Sequence, residues 1–156
     1  MAQLDADLLM QVREGAMRLL ARREHSCAEL RRKLAHRKFE PELVDEVLAE
    51  FVEQDLLSDT RYAHAMVAHR AKGGYGPGYV RGELREHGVT PELIQRALDE
   101  AEVSWYEVAM LRYRSHFPDQ TVRDFKDWAR RAAYLQRRGF SKSTIRQVLG
   151  DWQSPG

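Results

Sequence analysis

Residues 28–48, AELRRKLAHRKFEPELVDEVL, overlay residues 78–98, GYVRGELREHGVTPELIQRAL, once Pro41 is set against Pro91. The apolar positions then coincide: Leu30 meets Val80, Leu34 meets Leu84, Phe39 meets Val89, Leu43 meets Leu93, Val44 meets Ile94 and Leu48 meets Leu98. A third copy, AAYLQRRGFSKSTIRQVL at 132–149, fits one residue later and brings Gly139 opposite Gly88. A fifty-residue period of this kind marks stacked supersecondary units, none of which can hide its apolar face alone.

Apolar residues at helical spacing give each unit three helices. In the first unit Leu8, Leu9, Val12, Ala16, Leu19 and Leu20 form one face, Cys27, Leu30 and Leu34 a second, and Leu43, Val44, Val47, Leu48 and Phe51 a third. The second unit is predicted to hold helices over 58–72, 77–87 and 91–101, and the third over 104–116, 122–138 and 141–149. Ser26 with Glu29 reads as a capping box, and Pro41 and Pro91 fall where a missing N–H costs little. The expected fold is all-α. Three tandem three-helix repeats at 1–56, 57–103 and 104–156, the last with a short tail, stack into an elongated, curved right-handed or similar helical array.

The 156 residues balance to a net charge of +1, which hides a segregation. Residues 39–60 carry eight acids and no Lys or Arg, whereas the preceding helix carries Arg31, Arg32, Lys33, Arg37 and Lys38. Lys72, Arg81 and Arg85 again precede an acidic helix, and the last unit is strongly basic, with Arg130, Arg131, Arg137 and Arg138 among its cations. Two readings stand. Middle helices in register could form a basic stripe that attracts nucleic acid or an acidic protein groove; equally, these are solvated faces laced with intrahelical pairs.

Enzyme chemistry finds little footing. The six histidines form no HExxH or Cys/His cluster, and Cys27 is the sole cysteine, so neither a metal site, a redox pair nor a disulfide is expected. Cys27 reads as a small buried residue rather than a nucleophile. No catalytic residue and no cofactor is assigned. No apolar run approaches the roughly 18 residues that span a bilayer, and the N-terminus lacks a basic start followed by an apolar core, so a cytoplasmic protein is expected.

The glycine-rich GGYGPGY, residues 73–79, lacks the strand and the Gly-Lys-Ser/Thr of a phosphate loop. By the repeat, Gly76 stands opposite the capping Ser26 and Pro77 at a first helical position. The stretch is therefore a helix corner, with Gly73 closing the previous helix in a left-handed conformation. A weaker possibility is an anion site on the amides of Gly78 and Tyr79, helped by Lys72 and Arg81. Tyr79 is expected to pack inward beside Val80 and Leu84, and Tyr75 to stand on the loop as a contact residue.

Residues 56–89, LLSDTRYAHAMVAHRAKGGYGPGYVRGELREHGV, resemble the central region of the RecX family of bacterial recombination regulators. The matching elements are Asp59, Arg61 and Tyr62 at a helix start, the corner Gly74 to Pro77, and the run of Arg81, Glu83, Leu84 and Gly88. RREHSCAELRRKL and RRAAYLQRRGFSKSTI look like the family's flanking parts. The resemblance implies a non-catalytic, monomeric modulator that binds the filament of the RecA recombinase, limits its growth, and depresses its ATPase, strand-exchange and coprotease activities in DNA repair and the SOS response. It also implies single- or double-stranded DNA as a second partner. The residues expected to contact filament or DNA are Arg31, Arg32, Lys33, Lys72, Tyr75, Arg81, Arg85, Arg130, Arg131, Arg137 and Arg138, with Gly76, Pro77, Gly88 and Gly139 as structural corners. The rival is a helical protein that binds single-stranded DNA directly and acts by competition for it, and a third reading is a helical scaffold for some other protein.

Overall fold

The computed structural model describes residues 2–152, and among them are nine α-helices and no strand. They are α1 Ala2–Arg22, α2 Cys27–His36, α3 Pro41–Glu53, α4 Asp59–Lys72, α5 Pro77–Glu86, α6 Pro91–Glu100, α7 Trp105–His116, α8 Phe125–Arg137 and α9 Lys142–Leu149. The three-by-three organisation read from the repeat is present. Its largest departure is α8, which starts at Phe125 because the Asp124 carboxylate caps it by accepting the Asp127 amide.

Caps and prolines set the other starts. Ser26 Oγ accepts from the Glu29 amide at 3.0 Å, while the Glu29 carboxylate is held by Arg23. Ser58, Ser104 and Ser141 each accept the amide three residues on, and Pro41, Pro77 and Pro91 open α3, α5 and α6.

The chain forms two compact units. One runs to Ala65 and takes in Leu84–Gln95; the other comprises Met66–Glu83 and the chain from Arg96 onward. In the first, Val12, Ala16 and Leu19 of α1 meet Leu30 and Leu34 of α2 and Val44, Val47, Leu48 and Phe51 of α3, with Leu57 closing the cluster. Burying each of these large side chains contributes about 1.5–3 kcal/mol. In the second, Ala109, Tyr113 and Phe117 pack with Leu135, Phe140 and Ile145. Cys27 is only half-buried against the first core, rather than hidden as expected, because it occupies the first turn of α2.

The corner after each middle helix falls on one repeat position: Lys38, Gly88 and Gly139, all left-handed at φ 67°, 78° and 96°. Lysine is tolerated at the first because the other two corners are approached by another helix start. A Cβ on Gly88 would lie 2.6 Å from the Ala28 Cβ, and one on Gly139 would lie 2.3 Å from the Tyr79 amide nitrogen. Glycine there supplies room as well as φ. Each compact unit thus contains the same kind of junction, a corner seated on the start of a middle helix.

Candidate functional site

The glycine-rich corner lies inside the second unit, and its chemistry is taken up by backbone. The Gly76 amide donates to the Arg138 carbonyl at 2.7 Å, and the Gly78 amide donates to the Gly139 carbonyl at 2.9 Å. A Cβ on Gly76 would fall 2.5 Å from the Gly139 carbonyl carbon. This corrects the expectation of an anion site on the Gly78 amide, since that donor is already spent. Gly74, not Gly73, is the left-handed residue at φ 80°, and it ends α4 with the Tyr75 amide returning to the Arg70 carbonyl.

The exposures of the two tyrosines differ from those expected. Tyr75 is half-buried, with the Arg138 guanidinium 3.7 Å from its ring centroid on one side and the Tyr79 ring stacked at 4.2 Å. Tyr79, expected to face inward, is instead 37% exposed. The reason is register: Val80 and Leu84 take the buried stripe of α5, and Tyr79 sits one residue off it. Arg70 lies 5.5 Å from the Tyr75 centroid and is itself fixed by Glu83 at 2.8 Å.

Of the basic residues picked from sequence, several are committed internally. Arg131 is buried at 4% exposure: it donates to the Tyr113 hydroxyl at 2.7 Å, to Asp127 at 3.1 Å and to the Thr121 carbonyl at 3.2 Å. These bonds hold the Asp127 carboxyl well below the usual carboxylate range, through Arg130 first, then Arg131 and the Arg123 amide. Arg138 is likewise an internal clamp, donating to the carbonyls of Gly73 at 2.6 Å and Gly74 at 3.2 Å. Burial corrects Arg131 from a contact residue to a structural one, whereas Arg138 stays part-buried beside the carbonyls it holds. A buried guanidinium needs partners, and Arg131 has found three.

Lys33 is part-buried, and its ammonium donates to His25 Nε2 at 3.0 Å. Arg31 pairs with Asp45 at 3.0 Å and Arg130 with Asp127 at 2.7 Å, although both cations remain exposed. Arg81 is part-buried and engaged. Arg32 and Arg85 in the first unit, and Lys72 and Arg137 in the second, are exposed and enter no ion pair among the described residues.

Arg81 and Arg137 line an open groove of about 490 Å³ in the second unit, together with Tyr79, Gln136 and Ser141. No carboxylate lines it. By contrast, the concavity beside α7 includes Glu102 and Glu107, and the one at the α7–α8 connection includes Asp119, Asp124 and Asp127. Among the described residues no group of three or more His, Cys, Asp or Glu is disposed to hold a metal ion, and no helix is long and apolar enough to cross a membrane.

Three segments match the three-helix domains of one family: residues 13–51 the first RecX domain, 58–98 the second and 106–149 the third. The chain belongs to the RecX family. Regulatory protein RecX of Pseudomonas fluorescens (strain SBW25) is 40% identical over 143 residues, which is 92% of each chain. That of Halorhodospira halophila is 40% identical over 135 residues, covering 86% of this chain and 84% of the relative. RecX from Lactobacillus salivarius, a crystal structure, superposes with a TM-score of 0.78 over 92% of this chain and 96% of its own at 18% identity, a likeness of fold. Relatives so named make this a member of a regulatory family.

The residues that carried the RecX resemblance turn out to join helices. Asp59 Oδ1 accepts the Cys27 amide at 2.8 Å, Arg61 reaches Glu24 and Asp55 at 3.0 Å, and the Tyr62 hydroxyl bonds His87 Nδ1. His87 in turn gives its carbonyl to Ser26 Oγ at 2.7 Å. Apart from Arg61 and Asp55, six residues apart, these ties join partners 25 to 61 residues apart, which leave no local signal in the sequence.

Proposed function

We propose that this chain regulates the RecA recombinase by binding the RecA–DNA filament, limiting its assembly, ATPase, strand exchange and coprotease activities in DNA repair and the SOS response. It acts as a cytoplasmic monomer and has no catalytic residue or cofactor of its own. The reading is supported by membership of a family of regulatory proteins, together with one observation: each compact unit keeps exposed cations outside its internal ion pairs, Arg32 and Arg85 in one and Lys72 and Arg137 in the other. Such cations keep their Coulomb reach for a polyanionic nucleoprotein surface.

The test is retention of the full chain on purified recombinase filaments, alongside bare DNA of equal length, with the filament's ATPase as a second readout. Replacing Arg32, Lys72, Arg85 and Arg137 together by Glu is expected to leave helix content unchanged and weaken retention and ATPase inhibition by at least about tenfold. Unchanged inhibition removes the proposed surface. Equal retention on bare DNA favours competition for single strands, and retention on neither leaves a scaffold for another protein.

A further inference from the structure

We propose that the groove containing Tyr79 is a single-stranded nucleic-acid subsite, in which one base stacks on Tyr79 and a flanking phosphate meets the exposed Arg137. Three observations converge on it. The first is an exposed ring held in place from behind: Tyr79 stacks on Tyr75 at 4.2 Å, and Tyr75 is backed by Arg138 at 3.7 Å. Arg138 is fixed by the Gly73 and Gly74 carbonyls, so the three-layer ladder is anchored in backbone. A ring ordered in advance loses little further freedom when it stacks on a ligand.

The second is charge. The groove is lined by the exposed Arg137 guanidinium, by the part-buried and already engaged Arg81, and by no carboxylate, unlike the concavities beside α7 and at the α7–α8 connection. The third is the combination of chemistries. An acidic peptide would use the Arg137 guanidinium and leave the aromatic surface idle, whereas a nucleotide uses both, since every base has a π-face and every linkage a phosphate. Gln136 adds an amide able to donate to and accept from a base edge. The open groove suits a strand passing through more than an enclosed mononucleotide.

The inference rests on the reading above only in that a recombinase filament carries single-stranded DNA, and its test uses no recombinase. Binding of the full chain to a fluorescein-labelled 20-nucleotide oligo-dT is followed by anisotropy, in parallel with an abasic strand of equal length. Tyr79→Ala is expected to weaken oligo-dT binding by roughly 5- to 150-fold, the range set by loss of one stacked base. Tyr79→Phe retains it, and the abasic strand binds both wild type and Tyr79→Ala equally weakly. Arg137→Gln weakens both strands and lowers the salt slope by about 0.7.

Wild-type affinity of Tyr79→Ala for oligo-dT overturns the assignment. So does displacement of the strand by polyglutamate with the same dependence on Tyr79, which would make the groove a seat for an acidic protein segment. Circular dichroism checks each variant. Should Tyr79→Ala fail to fold, photocrosslinking of a 5-iododeoxyuridine strand to the wild-type chain decides: label on Tyr79 supports the subsite, and label confined elsewhere refutes it. Loss of this binding with filament retention intact separates its failure from that of the regulatory reading.

Discussion

The Arg138 guanidinium sits 3.7 Å from the centroid of the Tyr75 ring while its nitrogens hold the carbonyls of Gly73 and Gly74, so one side chain of the third repeat fixes both the ring and the backbone of the middle repeat's corner. Arg138→Ala removes charge-assisted bonds and the cation–π contact together, and is expected to cost about 1–3 kcal/mol. Thermal denaturation should show a drop of roughly 3–10 °C in Tm. Combined with Tyr75→Ala the losses should be less than additive, because the ring contact is shared.

Two glycines of the same corner should respond in opposite directions. Gly76→Ala drives a Cβ to 2.5 Å from the Gly139 carbonyl, a backbone neighbour that cannot rotate away, and should destabilise by about 1–3 kcal/mol. Gly82, in the interior of α5, has nothing within 4 Å of its added Cβ. Gly82→Ala should therefore stabilise by about 0.5–1 kcal/mol through helix propensity and a less disordered unfolded chain. Urea denaturation of the pair checks both signs.

His25 makes stability depend on pH. It is buried, its Nδ1 faces the Arg23 carbonyl at 3.1 Å, and its Nε2 faces the Lys33 ammonium at 3.0 Å. These partners assign the proton to Nδ1 and the lone pair to Nε2. Burial lowers its pKa, and the charges of Arg23 and Lys33 act in the same direction against the Arg23 carbonyl and Glu29. The unfolded chain then binds the extra proton first, so the contribution is whole above about pH 6.5 and is lost as pH falls towards the folded value. Denaturation midpoints should decline over that window, and His25→Gln should flatten this part of the profile.

The Cys27 thiol should be sluggish. Burial pushes its pKa up to about 11, helped by the Asp59 carboxylate. Against an ordinary value near 8.5, its thiolate fraction at pH 8 falls roughly 10²- to 10³-fold. Modification by a chromogenic disulfide reagent should slow by at least that factor in the folded chain compared with the chain in denaturant. Comparable rates would show that the thiol is not protected.

What the sequence makes legible is whatever is written locally or periodically. Leu30, Leu34, Val80, Leu84 and Leu135 recur on the helical period and are all buried, and Ser26, Ser104 and Ser141 announce the helices they cap. The site is less legible because a cation's identity says nothing about its partner. Arg131 and Arg137 stand six residues apart in the same basic helix, yet Arg131 is enclosed by Tyr113, Asp127 and Thr121 while Arg137 is exposed. Periodicity carries part of that signal: Arg131 lies four residues before Leu135, on its face of α8. Tyr79 failed for a related reason, being adjacent to the buried stripe but not on it.

The recurring junction is also keyed. At one helix start Ser26 offers a hydroxyl to the His87 carbonyl, with the Ala28 methyl set against Gly88; at the other, Gly76 and Gly78 offer bare amides to Arg138 and Gly139. A serine in place of Gly76 would put its Cβ where the Gly139 carbonyl lies, and a glycine in place of Ser26 would give His87 no hydroxyl. The repeats therefore cannot be shuffled like identical bricks: each start carries the complement of one particular corner, and the order of the modules is inscribed in which residues lack a side chain.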